Sequence, residues 1–212
     1  DERKWREPPF DKKRRSTLDY KTFCYGSSAL FGLAGCIVYF VPIFQRKTRP
    51  KTLTWVIWAI CDTILMMGMI ARDALNGQML VIVPCAWLLV VISLRYGINE
   101  WTKTDSVCSV SVALAIISWL FTKNPETAIA WSIITITIGT GPTVQSVWTD
   151  PTRERWWPWA FGLIAPILTI FSLRQYVFAS LAQPIAFLVL QAIIVALVAR
   201  PRAPIGIKEK RL

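Results

Sequence analysis

Seven stretches of about 20 mostly apolar residues dominate this chain and restrict what it can fold into. A helix needs about that length to cross the hydrocarbon core of a bilayer, where only helices and closed barrels satisfy every backbone polar group. We therefore predict an all-α membrane protein with seven transmembrane helices. The helices are expected near residues 25–44, 53–71, 79–96, 107–121, 127–147, 157–173 and 177–199.

The sequence also nearly repeats itself after 100 or 101 residues. The paired motifs are Pro42-x-x-Gln45 with Pro142-x-x-Gln145, Trp55-x-x-Trp58 with Trp156-x-x-Trp159, and Pro84-x-Ala86-x-Leu88 with Pro184-x-Ala186-x-Leu188. Duplicated sets of three membrane helices are typical of transporters. Since three spans turn the chain over, one additional helix restores its direction. We predict two parallel three-helix bundles joined by a linker helix, a 3+1+3 arrangement.

Five segments follow from this organisation. They are a charged N-terminal arm (1–22), a first repeat (23–96), the linker helix segment (97–126), a second repeat (127–199) and a basic C-terminal tail (200–212). The arm holds eight Lys or Arg and five Asp or Glu with few apolar side chains. Such a segment cannot bury much apolar surface, so we expect it to be disordered or docked on partner membrane subunits.

The formal net charge of +11 would suggest a nucleic-acid partner in a soluble protein. Here the basic residues lie at the edges of predicted spans, where they face lipid headgroups, so a lipid bilayer rather than nucleic acid is the expected partner. Basic loops stay cytoplasmic. Segments 45–52, 95–105, 149–155 and 200–212 hold thirteen Lys or Arg, against three in the other loops. We predict an outside N-terminus and a cytoplasmic C-terminus.

Several local motifs carry a family resemblance. They are a Pro near the end of the first helix of each repeat (Pro42, Pro142), the basic pair Arg46-Lys47, Trp at the start of the next helix (Trp55, Trp58, Trp156, Trp159), Leu94-Arg95-Tyr96-Gly97, Trp101-Thr102, Asn124-Pro125 and Gly141-Pro142-Thr143. Over residues 25–199 the chain resembles the SWEET and SemiSWEET sugar facilitators of the PQ-loop superfamily, in particular small bacterial members. The resemblance implies a transporter fold in a bacterial inner membrane. Such proteins often form oligomers, so a homo-oligomer is one expected assembly.

The sequence departs from that family at the expected sugar site. The Pro-Gln dipeptide is stretched to Pro-x-x-Gln in both repeats, and the third and seventh predicted spans contain no Asn, since Asn76 falls in a predicted loop. The chain is also similar to the nicotinamide-riboside transporters, in which a polar residue follows Trp-x-x-Trp by four positions. Asp62 stands in that position after Trp58.

Asp62 is the only acid well inside a predicted span. A charge at the bilayer centre costs about 2.5–3.5 kcal/mol on insertion scales, so an intramembrane acid should face the protein interior and have a function. Helical spacing places Trp55, Trp58, Asp62, Met66 and Met69 on one stripe. We predict that Trp58 stacks on a ring-shaped solute and that Asp62 accepts hydrogen bonds or a proton. Alternatively, Asp62 bonds a neighbouring Thr or carbonyl and only ties helices together.

The sequence gives weaker support to further candidate ligand and hinge residues. Gln183 and Gln191 share one face of the seventh span and are candidate solute ligands, or else interhelical hydrogen bonds worth about 0.6 kcal/mol each. Pro42, Pro84, Pro142 and Pro184 interrupt backbone hydrogen bonds inside spans. They are candidate hinges for alternating access, or static kinks that neighbouring helices accommodate.

Catalysis and cofactor binding have little support in the sequence. The chain has no His, which removes Ser-His-Asp triads and His-based metal ligation. Its five Cys are scattered without a Cys-x-x-Cys pair. We expect no enzyme activity, no metal and no cofactor.

Two functions remain from different classes. The first is a facilitator that carries a small neutral or ring-shaped solute by alternating access between the two repeats. The alternative is a non-transporting structural or accessory subunit of a larger membrane complex that retains the transporter fold and docks through residues 1–22.

Overall fold

The computed structural model describes residues 12–47, 49–99, 101–151 and 155–200. Within these ranges the regular structure is helical throughout, as the sequence predicts. The helices are α1 (Lys12–Phe44), α2 (Thr52–Ile70), α3 (Gly77–Tyr96), α4 (Lys103–Thr122), α5 (Pro125–Thr149), α6 (Trp156–Ser172) and α7 (Phe178–Val198). Residues 1–11 of the predicted arm and 201–212 of the predicted tail lie outside the described residues.

Six of these helices are long and apolar enough to cross a membrane. The apolar part of α1 begins at Asp19, and α6 is shorter, with 17 residues. The outward side chains are apolar as well; Phe121 is 84% exposed and Phe23 is 70% exposed. Contiguous apolar surface of this kind marks a lipid or protein contact, which agrees with the predicted class of integral membrane protein.

The first helix begins earlier than the sequence predicts, at Lys12 rather than near residue 25. Part of the charged arm is therefore helical and continuous with the first span. Extending an existing helix avoids the unfavourable nucleation step, so even polar residues can continue it. Lys21 also fixes this region, because its Nζ donates to the carbonyl oxygen of Leu173 at 2.6 Å.

Local sequence explains where several helices start. The Asn76 side chain accepts a hydrogen bond from the backbone of the first turn of α3, and Thr102 forms a capping box with Asp105 at the start of α4. Asn124 caps α5, with Pro125 in the first helical position. These residues supply the acceptors that the first N–H groups of a helix lack.

The helices pack in a regular scheme. Helix α3 packs on both α1 and α2, and α7 packs on both α5 and α6. Between these groups α1 contacts α6 and α2 contacts α5, while α4 packs on α5 and α2. A cluster of buried side chains around Leu65, Met69, Met79 and Ile129 joins α2, α3 and α5.

Loop contacts define two ends of the bundle. At one end, Ile98 accepts from the backbone of Thr52 at 3.1 Å and donates to the carbonyl of Pro50 at 3.0 Å. We call it the Lys51 end. At the other, Arg72 donates to Asn124 at 3.1 Å. We call it the Arg72 end.

Candidate functional site

A cavity of about 710 Å³ lies inside the bundle. Its lining runs from Gln78, near the Arg72 end, to Arg49 and Gln145 near the Lys51 end. Gln78 is buried whereas Arg49 and Gln145 are exposed, so the cavity opens at the Lys51 end. Its volume falls in the range of about 300–1,000 Å³ that is usual for small-molecule sites.

Three of the four candidate ligands from the sequence line this cavity: Trp58, Asp62 and Gln191. Each has a buried polar atom without a hydrogen-bond partner in the described part of the chain, namely Nε1 of Trp58, Oδ1 of Asp62 and Oε1 of Gln191. The neighbouring Thr63 does not serve Asp62, because its hydroxyl donates to the carbonyl of Ala59 at 2.7 Å. Buried polar atoms are rarely left unpaired in proteins, so these three residues remain candidate solute ligands.

Aromatic rings form one wall of the cavity. Tyr39 and Trp55 have ring centroids 5.3 Å apart, and Trp55 meets Trp58 edge to face at 5.1 Å. All three residues line the cavity. Aromatic side chains offer large, rigid contact surfaces, so this wall suits a planar solute.

Two glycines make room for the candidate ligands. A Cβ atom on Gly139 of α5 would lie 2.5 Å from Nε1 of Trp58, and one on Gly162 of α6 would lie 2.8 Å from Cδ of Gln191. Side chains at these positions would collide with the indole and the amide. The space left by the two glycines therefore allows the indole and the amide to lie at the cavity wall.

Gln183 lies elsewhere, in a buried amide network next to the closed end of the cavity. Asn76 Nδ2 donates to Gln183 Oε1 at 2.8 Å, and Gln183 Nε2 donates to Gln78 Oε1 at 3.2 Å. Thr169 adds a 3.3 Å hydrogen bond to the same Gln78 oxygen. The network joins α3, α6 and α7, and the Gln183 amide already has protein partners.

The sequence pattern predicts a loop at Asn76 and gives no functional prediction for Gln78. Their position at the start of α3 explains this, because polar residues beside a span usually face water. The one available signal was the polar run Asn76-Gly77-Gln78 directly before an apolar stretch.

The opening of the cavity carries a polar cluster that no sequence motif predicts. Lys51 forms an ion pair with Asp105 and donates to the Thr102 hydroxyl at 3.0 Å. The Thr102 backbone N–H donates to Asp105 Oδ2 at 2.6 Å. Asp105 is only 4% exposed. The cluster connects the start of α2 to the start of α4 and could not be seen in the sequence, where Lys51 lies 51 residues before Thr102 and 54 before Asp105.

The four candidate hinge prolines all lie inside helices: Pro42 in α1, Pro84 in α3, Pro142 in α5 and Pro184 in α7. Pro142 lines the cavity and the other three do not. Their role as hinges stays a prediction.

The cysteines provide probes of the cavity. Cys36, Cys85 and Cys108 line it, whereas Cys24 and Cys61 are buried outside it. In the described residues no three His, Cys, Asp or Glu side chains are grouped to hold a metal ion.

Comparison of the chain with protein-family models, with curated proteins and with solved structures found no match. The cavity and the side chains that line it therefore carry the functional assignment.

Proposed function

We propose that this protein is a membrane facilitator that carries a small ring-shaped solute by alternating access. The supporting observation is the cavity of about 710 Å³, which opens at the Lys51 end and is lined by Trp58, Asp62 and Gln191, each of which has a buried polar atom without a hydrogen-bond partner in the described residues. A purely structural subunit has no need for a cavity of this size, since filling it with apolar side chains would stabilise the bundle.

The packing scheme supports a 3+1+3 organisation. Exchanging α1, α2 and α3 for α5, α6 and α7 converts each contact among these helices into another observed contact: α1 with α6 becomes α5 with α2, and α3 with α1 becomes α7 with α5. Helix α4, which packs on α5 and α2, fits a linker. Related three-helix groups around a central site are the architecture that alternating access uses.

The two ends of the cavity fit the two gates of such a cycle. At the Arg72 end the hydrogen bonds of Asn76, Gln78 and Gln183 hold α3 and α7 together, and at the Lys51 end the cavity is open. Opening the Arg72 end requires the network to break while the helices close at the Lys51 end. Prolines inside α1, α3, α5 and α7 weaken those helices locally and suit such a movement.

The basic loops support the orientation. Loop 45–51 belongs to the Lys51 end and carries four Lys or Arg, and basic loops stay cytoplasmic. We therefore propose that the Lys51 end faces the cytoplasm and that the N-terminus is outside. A SWEET-like facilitator of a bacterial inner membrane is the assignment that the sequence motifs favour.

Thiol accessibility tests the proposal without knowledge of the solute. In one variant Cys36 is kept and the other four cysteines are replaced by Ser; in a matched variant Cys24 is kept instead. Right-side-out and inside-out membrane vesicles are treated with a membrane-impermeant thiosulfonate reagent. Alternating access predicts that Cys36, which lines the cavity, reacts from both faces. Cys24 is 3% exposed and lies outside the cavity, so it should react from neither.

Reaction of Cys36 from only one face would overturn the proposal. A cavity with one permanent opening cannot carry a solute across the bilayer. That result would favour the accessory subunit, and stoichiometric copurification with partner membrane proteins through residues 1–22 would then be the expected observation.

A further inference from the structure

The charges along the cavity are unevenly distributed. Among the described residues, four charged side chains line it. Arg49, Lys51 and Asp105 stand at the Lys51 end, where Lys51 and Asp105 neutralise each other as an ion pair. Asp62 is the one charged residue deeper in the lining. Below its opening the cavity therefore has acidic character.

Asp62 has no cationic partner in the described residues. The two ion pairs found there are Lys51 with Asp105 and Arg72 with Glu126, and neither involves Asp62. Asp62 is only 6% exposed. A buried carboxylate without a counter-charge is unfavourable, and a cationic ligand would remove that penalty.

The rest of the wall has the properties of a site for a planar cation with N–H groups. Oδ1 of Asp62 and Oε1 of Gln191 are both buried acceptors without a partner, so they call for donors, whereas the unpaired N–H of Trp58 packs against Gly139. The rings of Tyr39, Trp55 and Trp58 stand in the same lining. Aromatic faces attract cations placed within about 6 Å of the ring centroid.

We propose that the solute is a small, flat organic cation with N–H donors, such as an aromatic amidinium or guanidinium compound. This inference rests on the proposed transport function and names its substrate class. The Asp62 carboxylate neutralises the cation and accepts its N–H, Gln191 accepts a second N–H, and the ring lies against Trp58. Arg49 opposes entry only weakly, since exposed charges are screened over about 8 Å at physiological ionic strength.

Three probes of nearly equal shape test the charge requirement: benzamidine (cation), benzamide (neutral) and benzoate (anion). Binding to the full-length protein in detergent is measured by titration calorimetry. Benzamidine should bind at least about tenfold more tightly than either other probe, because charge-assisted hydrogen bonds are stronger than neutral ones. Asp62→Asn keeps the shape of the side chain and should reduce the preference to within about twofold. The control Glu126→Gln, a carboxylate at the Arg72 end, should leave it unchanged.

Equal or tighter binding of benzamide or benzoate would overturn the inference, as would a preference that survives Asp62→Asn or an absence of benzamidine binding. The wild-type series alone decides the matter should Asp62→Asn fail to fold. These results are independent of Cys36 labelling. Two-sided labelling without a cation preference refutes the substrate class but keeps transport, and one-sided labelling with the preference leaves a binding site in a protein that does not transport.

Discussion

Replacing Gly139 by Ala tests whether the absence of a side chain there fixes Trp58 at the cavity wall. The new Cβ would lie 2.5 Å from Nε1 of Trp58, well inside normal contact distance. Gly26 also lies inside a helix, α1, and a Cβ there would meet nothing within 4 Å. Gly26→Ala is therefore a matched control for the exchange of glycine for alanine within a helix.

The difference between the two variants isolates the steric effect. Both exchanges gain up to about 1 kcal/mol of helix propensity. Overpacking costs about 1–3 kcal/mol, and only Gly139→Ala incurs it. Gly139→Ala should therefore be the less stable of the two by about 1–3 kcal/mol. At about 3 °C per kcal/mol for a chain of this size, its Tm should be lower by about 3–9 °C.

Thermal unfolding in detergent can be followed with a thiol-reactive dye, because Cys24 and Cys61 are buried in the folded protein and become reactive on unfolding. Benzamidine affinity provides a second measurement. The indole can relieve the collision by moving into the cavity, which would lower that affinity in Gly139→Ala and not in Gly26→Ala. Equal Tm values together with equal benzamidine affinities would refute the placement of Trp58 against Gly139.

Two further variants test the polar contacts at the ends of the bundle. Gln183→Ala leaves the buried Asn76 amide without its acceptor. Chemical denaturation should show that the free energy of unfolding falls by about 1–3 kcal/mol. A loss below about 0.5 kcal/mol would show that the network does not hold α3 to α7. Lys51→Met leaves the buried Asp105 carboxylate without its cation. It should lower Tm more than Arg72→Met, because the ion pair of Arg72 with Glu126 is exposed and worth about 0–1 kcal/mol. A similar loss of Tm in both variants would contradict this.

The helices themselves could be predicted from the sequence. Long apolar stretches separated by short polar segments place all seven, because in lipid the backbone has few alternatives to a helix. Turn and cap residues such as Asn124 and Pro125 mark an end within a few positions. The start of α1 was missed because periodicity and hydropathy do not register a charged extension of an apolar helix.

The cavity could be predicted only in part. The stripe on α2 was identified as one face, yet Trp58 and Asp62 line the cavity whereas Met69 is fully buried in the core cluster around Leu65. Whether a residue of the stripe lines the cavity or is buried in the core depends on how closely α5 and its neighbours pack against α2 at that position. Gly139 decides this at Trp58, and Gly139 gave no signal in the sequence.

The two glutamines on α7 illustrate the difference between what the sequence determines and what the tertiary structure determines. The sequence by itself determined that Gln183 and Gln191 lie eight residues apart on one face of an apolar helix, because helical periodicity is a local property of the chain. Only the tertiary structure decided that Gln183 is bonded by Asn76 and Gln78, whereas Gln191 faces the cavity beside Gly162. The physical reason is that a buried amide takes whatever hydrogen-bond partners and space the neighbouring helices bring, and the partners of Gln183 are 105 and 107 residues away in the chain.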